Sequence, residues 1–172
     1  NDVMRGRTSS LGISPTSYTF GDIGGSSYID SRAGNQRKGF QFTYSYGNRS
    51  YNHRLMATYN TGMMTNGWAF SASASWRYSP NGAFVKGAYY NAAAYFVSAE
   101  KRIGKHSIAL TVMGAPSVRG KGGPATEEMF RLSGSNYYNP NWGYQTSGKT
   151  GELQVRNSKT SDSHQPLFIL SH

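Results

Sequence analysis

Strict alternation of side-chain type from Trp68 to Tyr78 is the feature that most constrains how this chain folds. One set of positions carries large or apolar groups, Trp68, Phe70, Ala72, Ala74, Trp76 and Tyr78. The other carries Ala69, Ser71, Ser73, Ser75 and Arg77. A period of two indicates a β-strand with one apolar and one polar face. Its length exceeds the usual strand of about 5–6 residues and suits a tilted membrane-spanning strand of about 9–11.

Five further runs repeat this pattern before and after the central one. They are Phe40–Tyr46, Tyr51–Asn60, Tyr95–Glu100, Ser107–Val112 and His164–His172. In the last run Leu167, Phe168, Ile169 and Leu170 are consecutive apolar residues, so the sequence does not show which side chains share a face. Aromatic, Gly and Asn residues are frequent throughout, which favours strands and turns over helices. We therefore predict an all-β chain.

The predicted connections differ in length in a regular way. Short ones lie at Gly47–Ser50, Gly62–Gly67 and Ile103–Lys105, and long ones at Ser79–Asn91 and from Ala115 to about Asp162. In an antiparallel meander, both long connections fall at the same end of the sheet. Outer-membrane barrels have long extracellular loops and short periplasmic turns. The pattern predicts an antiparallel transmembrane β-barrel segment of about six strands.

This prediction assigns one strand face to lipid. Its candidates are Phe40, Phe42, Trp68, Phe70, Trp76, Tyr78, Tyr95, Val97, Ile108 and Leu110. Lys101 shares that face, but it lies at the periplasmic end, where its ammonium group reaches water by snorkelling.

The formal net charge of +10 raises the question of anionic partners. Basic proteins often bind nucleic acid or anionic lipid. Here the basic residues are scattered, and no acidic residue occurs from Ser31 to Ala99. A barrel wall with charges at strand ends or in the lumen is the favoured interpretation, and no nucleic acid partner is expected. No apolar run is long enough for a transmembrane helix of about 18 residues.

The sequence also bears on catalysis and metal binding. His53, His106, His164 and His172 have no metal-ligand spacing, and the chain has no Cys. No Gly-x-Ser-x-Gly elbow is present, and acids are too sparse for paired catalytic carboxylates. Arg119–Gly123 lacks the Gly-Lys-Ser/Thr ending of a phosphate-binding loop. We expect no enzyme activity, no cofactor and no metal, and one short helix at Pro124–Leu132 capped by Thr126.

Residues Phe20–Arg32, FGDIGGSSYIDSR, resemble the closing segment of the plug domain of TonB-dependent receptors. The likeness rests on Ile23-Gly24-Gly25 followed by Tyr28-Ile29-Asp30-Ser31, where the Gly pair would allow a close backbone approach. It implies that residues 1–36 are the C-terminal end of a plug domain. Residues 37–172 would then be the first barrel strands, with a long extracellular loop at about 115–162.

A longer likeness is to large TonB-dependent receptors of Bacteroidetes. It comprises Asn48–Trp68, Tyr95–Gly104, His106-Ser107, Gly114-Ala115-Pro116, Tyr137–Tyr144 and His164-Gln165-Pro166. It implies part of a receptor that imports a ligand across the outer membrane of a Gram-negative bacterium. The implied partners are outer-membrane lipid and lipopolysaccharide, a surface lipoprotein, and TonB, which would bind a plug N-terminus absent from this chain.

The chain also departs from this family. A full receptor has a TonB box, a complete plug and a wall of about 22 strands. Asn1 and His172 both fall within a pattern, so both ends look cut. We therefore expect a fragment that does not transport by itself.

Two groups of residues are candidates for function within this interpretation. Exposed aromatic groups in the long loop would bind a ligand, or alternatively pack to order the loop; they are Tyr137, Tyr138, Trp142 and Tyr144. Polar groups on or near the lumen side would hold the plug in the wall, or alternatively line a solute path; they are Arg32, Arg54, Arg77, Glu100 and Arg102.

Two other architectures remain open. One is a small barrel of about eight strands with a structural or adhesive role, for which Thr16–Phe20 would supply an additional strand. The other is a soluble basic β-sheet that binds nucleic acid or polysaccharide through surface aromatic groups.

Overall fold

A computed structural model describes residues 7–12, 24–82 and 84–172. These residues form mostly antiparallel β-sheet, which confirms the all-β prediction. The strands are β1 (Arg7–Ser10), β2 (Ser26–Ile29), β3 (Gly39–Tyr46), β4 (His53–Asn60), β5 (Trp68–Ser79), β6 (Tyr90–Ile103), β7 (His106–Gly114), β8 (Ser117–Gly120), β9 (Trp142–Thr146), β10 (Leu153–Asn157), β11 (Thr160–Ser163) and β12 (Leu167–Ser171). A 3-10 helix spans Ala33–Asn35, and an α-helix, α1, spans Glu127–Ser133.

The main sheet is an antiparallel meander that begins at β3. Strands β3, β4, β5 and β6 pair in chain order. The long strand β6 pairs with β7 over Tyr95–Ile103 and with β8 over Tyr90–Ala92. Strands β7 and β8 thus form one interrupted strand, across which the Ala93 amide donates to the Pro116 carbonyl at 2.9 Å.

The last strand position of the main sheet is also interrupted. Strand β11 pairs with β8 and β12 pairs with β7. The six predicted runs therefore occur in the predicted order. The register with β7 also separates the two faces of the final run, because Phe168 is opposite Val112 and Ile169 is opposite Thr111.

The connection predicted at 115–162 contains more structure than expected. Its two ends are β8 and β11, which extend the main sheet, and β9 and β10 form a separate hairpin. Helix α1 agrees with the predicted helix: the Thr126 hydroxyl accepts from the Met129 amide at 3.3 Å. Glu127 and Glu128 occupy its first turn, where carboxylates are favoured by the helix dipole.

Strands β1 and β2 form a second small antiparallel sheet. Gly25, from the Gly pair, has a φ of 109° and lies against the backbone of Ser10 and Leu11. This is the close approach expected at that position, because a side chain there would collide with the neighbouring chain. Ile23 and Thr16–Phe20 lie outside the described residues.

Candidate functional site

The two faces of the main sheet differ sharply in chemistry. The proposed lipid-facing side chains share one face by register; nine of the ten are exposed and Tyr95 is half-buried. They include Phe40 at 69% exposure and Trp76 at 43%. Tyr95 makes a hydrogen bond of 3.1 Å to His164 Nε2. The apolar side of this sheet is therefore its exposed side, and it is called the outer face below.

The opposite face is buried and rich in hydroxyl groups. Ser98 and Thr111 are hydrogen-bonded at 2.9 Å, and Thr58 and Ser73 at 2.8 Å. Each pair belongs to neighbouring strands, so these bonds cross the sheet. Hydroxyl pairs of this kind satisfy polar groups that burial removes from water. This surface is called the inner face below.

Aromatic rings mark both ends of the outer face. Trp68 stacks on Phe70 at one end with ring centroids 5.6 Å apart, and Trp76 stacks on Tyr78 at the other end at 5.4 Å. Lys101 lies beside Trp68, with Nζ 5.0 Å from the ring centroid and 2.7 Å from the Asn66 carbonyl. The ammonium group is thus directed to the turn at the strand end, as expected for this residue.

Glu100 is a fully buried carboxylate on the inner face, with 1% exposure. It accepts hydrogen bonds of 2.7 Å from the Gly34 amide and from the Ser107 hydroxyl. A guanidinium nitrogen of Arg102, half exposed, lies 3.6 Å away. Glu100 thereby joins the segment before the main sheet to two strands of that sheet.

The contact at Gly34 leaves no room for a side chain. A methyl group there would lie 2.6 Å from Met63 Cε and 2.7 Å from Glu100 Oε2. Ala33 beside it is fully buried. The 3-10 helix is therefore packed tightly on the inner face.

The candidate arginines occupy different places. Arg54 and Arg77 are half-buried cross-strand partners on the inner face, and the Arg77 guanidinium lies 5.5 Å from the centre of the Tyr51 ring. Arg32 directly precedes the 3-10 helix and is half-buried. Among the five polar candidates, Glu100 and Arg102 are in direct contact with each other, and Arg54 and Arg77 are neighbours on adjacent strands.

Asn139 organises the long connection between β8 and β11. It is 3% exposed, and its amide nitrogen donates to the Lys86 carbonyl at 2.9 Å. Its side-chain oxygen accepts from the amides of Gly123 and Asn141 at 3.2 and 3.0 Å. One side chain thus links this connection to the one between β5 and β6.

The aromatic candidates are divided between packing and exposure. Trp142 is half-buried against Gly87, whose φ of 77° and lack of a side chain permit the contact. Tyr144 and Tyr137 are exposed; Tyr144 lies 5.3 Å from Trp142, and Tyr137 lies 5.5 Å from Phe84, between ring centroids. Tyr138 is 38% exposed. Of the four, Trp142 and Tyr144 are in contact with each other.

A cavity of about 700 Å³, broadly open to solvent, lies at the long-connection end of the inner face. Its lining combines tyrosines and basic residues, including Tyr51, Tyr89, Tyr90, Arg119 and Lys121. Sequence reasoning did not find this site, because its members come from three connections far apart in the chain. The only local signals were the Tyr89-Tyr90 pair and the closely spaced Arg119 and Lys121.

Histidine side chains form one unexpected pair. His106 Nδ1 and His172 Nε2 are 3.2 Å apart, and their rings stack at the edge formed by β7 and β12. Among the described residues, no group of three or more His, Asp or Glu side chains is placed to hold a metal ion.

No helix in the described part of the chain is long and apolar enough to cross a membrane. No protein-family model, curated protein sequence or solved structure matches this chain.

Proposed function

We propose that this chain is part of the wall of an outer-membrane β-barrel, in a receptor of the TonB-dependent type that imports a ligand. In this proposal the outer face contacts lipid and the inner face contacts the plug and lumen. The long connections face the outside of the cell. The bacterium is Gram-negative, of the Bacteroidetes type indicated by the resemblance.

The observation that carries the proposal is the inverted character of the main sheet. In a water-soluble sheet protein the aromatic face packs inward and the hydroxyl face meets water. Here Ser71, Ser98 and Thr111 are buried while Phe70 and Trp76 are exposed. This arrangement stabilises a sheet whose outer surroundings are hydrocarbon.

The length of β5 fits the same surroundings. Trp68 to Tyr78 covers eleven residues, or roughly 33 Å of strand at about 3.3 Å per residue. At a tilt of about 45° this corresponds to roughly 23 Å, close to the apolar band of about 25 Å in outer-membrane barrels. The stacked aromatic pairs then lie at the two interfaces.

The contact between Glu100 and Gly34 supports assignment of the preceding segment to a plug. A plug end must meet the lumen side of the wall near the turns opposite the long loops. The 3-10 helix lies on the inner face beside β5 and β6, near the short connection between β6 and β7. TonB itself would bind residues that are not in this chain.

The alternatives receive less support from the observed sheet. A small closed barrel requires its edge strands to pair, but among the described strands β3 pairs only with β4 and β12 only with β7. A soluble basic sheet requires a cover over the outer face, and large apolar side chains there are exposed from β3 to β12. The partial wall of a larger barrel explains both features.

Cell fractionation tests the proposal with the protein produced from its own gene. We expect it in the outer-membrane fraction, resistant to alkaline carbonate and extracted only by detergent. Recovery as a stable monomer in plain buffer, after lysis without detergent, would overturn the proposal. Periplasmic maltose-binding protein and a known porin serve as controls for the two outcomes.

A further inference from the structure

The cavity at the long-connection end of the inner face has the size of a small-molecule site. Its volume of about 700 Å³ lies within the range of about 300–1,000 Å³ usual for ligand pockets. It is lined by residues of the β3–β4 hairpin, of the β5–β6 connection and of the segment that begins in β8. It is separate from the loop aromatic groups that the sequence indicated.

The charged side chains that line this cavity are cationic, which favours anionic ligands. Arg119 lies opposite Tyr90 in the β6–β8 register, and Lys121 follows two residues later. None of the described residues that line the cavity is acidic. Within the described part of the chain, neither cation forms an ion pair. Both side chains are exposed, and a carboxylate or phosphate would form strong charge-assisted hydrogen bonds with them.

The remaining lining suits a flat ring. Tyr51 and Tyr90 lie with ring centroids 6.0 Å apart, and Tyr89 is adjacent. All three are half-buried, so each ring is ordered by the protein and still partly accessible. Tyrosine provides a large apolar surface together with a polar hydroxyl, which suits both aromatic and sugar rings.

Hydrogen bonds between the connections hold this cavity in shape. The Gly120 amide donates to the Tyr89 carbonyl at 2.9 Å. The Asn157 side-chain amide donates to the Gly87 carbonyl. Such preorganisation lowers the entropic cost of binding a ligand.

We infer that this cavity binds an anionic solute that carries a flat ring, with a carboxylate or phosphate held by Arg119 and Lys121. The ring contacts Tyr51, Tyr89 and Tyr90. The binding chemistry follows from the cavity itself, while its role in ligand import rests on the proposed function.

Isothermal titration of the detergent-solubilised full chain tests this inference with two matched probes. The probes are para-nitrophenyl glucuronide and para-nitrophenyl glucoside. They differ at one position of the sugar, which is a carboxylate in the glucuronide and a hydroxymethyl group in the glucoside. We expect the glucuronide to bind about tenfold more tightly, as an additional charge-assisted contact provides. Equal affinities, or no binding of either probe by the folded chain, would overturn the inference.

Substitution of the two cationic residues tests whether they cause the preference for the glucuronide. The double variant Arg119→Gln/Lys121→Gln is expected to reduce glucuronide affinity to that of the glucoside. The matched control Lys149→Gln/Arg156→Gln removes two exposed charges outside the cavity and is expected to retain the preference. An equal loss in both double variants would show attraction to overall charge and contradict a specific site. Circular dichroism verifies that each variant is folded.

Substitution of one tyrosine separates the contribution of the rings to affinity from the contribution of the cations. Tyr89→Leu is expected to weaken both probes by a similar factor and to leave their ratio near tenfold, because the cations are retained. A chain that requires detergent but shows no glucuronide preference would contradict this inference alone. A monomer that is stable in plain buffer and prefers the glucuronide would instead contradict the proposed membrane function.

Discussion

Glu100 is the residue at which the segment before the main sheet is fixed to that sheet. Its carboxylate is surrounded by donors from three places, the Gly34 amide, the Ser107 hydroxyl and the Arg102 guanidinium. The first two contacts are short and shielded from water. The contact with Arg102 is longer and half exposed, so it contributes less to stability.

Removal of this carboxylate is expected to destabilise the fold. Glu100→Ala leaves the half-buried Gly34 and Ser107 donors without their acceptor, which costs about 1–3 kcal/mol in the free energy of unfolding. Glu100→Gln retains an acceptor oxygen and is expected to cost less. Urea unfolding in detergent, followed by circular dichroism, measures the difference.

The matched control is Glu152→Ala, since Glu152 is exposed. It is expected to change stability by less than about 0.5 kcal/mol. A loss at Glu152 equal to that at Glu100 would contradict a specific role for the buried carboxylate.

At the scale of the element, β5 determines how the sheet relates to its surroundings. The side chains at its odd-numbered positions are buried or half-buried, and those at its even-numbered positions are exposed. Ala74 lies at the middle of the outer row and Ile103 lies at the end of the neighbouring strand β6. These two exposed positions therefore sample different depths in the proposed membrane.

A charge at the centre of the outer face distinguishes lipid from water. We expect Ala74→Arg to cost about 2–4 kcal/mol in stability and to reduce the amount of folded protein in the outer membrane, whereas Ile103→Arg costs about 0–1 kcal/mol. Folded yield is measured by resistance to protease in isolated membranes. Equal tolerance of both substitutions would indicate a face in contact with water.

The long connection is the second element with a specific prediction. Asn139→Ala removes hydrogen bonds to Lys86, Gly123 and Asn141, and local opening of the connection should become about tenfold more frequent for a loss of about 1.4 kcal/mol. Limited proteolysis at residues 121–159 measures this opening.

Asn136→Ala is the matched control, because Asn136 is exposed in the same connection. Its cleavage rate is expected to equal that of the parent chain. If Asn139→Ala also left cleavage unchanged, the connection would not depend on that side chain.

For the whole molecule, the sequence predicts the order of the strands in the main sheet but not how distant connections meet. Alternation in β5 is readable because one face is apolar and the other is small and polar. In β12, Phe168 and Ile169 are both apolar, so only pairing with β7 assigns their faces. Strand β1 was missed because Arg7–Ser10 has no apolar alternation.

The cavity could not be predicted from the sequence either, because its residues are far apart in the chain. Tyr51, Tyr90 and Arg119 are separated by tens of residues, and pairing of β6 with β8 brings the last two together. The β9–β10 hairpin was missed because its strands are short and enclosed in a long connection. Local patterns predict individual elements, whereas these features depend on contacts between connections.

The most direct test of the central claim is fluorescence quenching of single-tryptophan variants in vesicles of brominated phosphatidylcholine. The chain has three Trp residues; Trp68 and Trp76 lie on the outer face, and Trp142 in the long connection is the internal control. We predict that bromine on the lipid acyl chains quenches Trp68 and Trp76 and leaves Trp142 unaffected. Equal insensitivity of all three to brominated lipid would contradict a lipid-facing sheet.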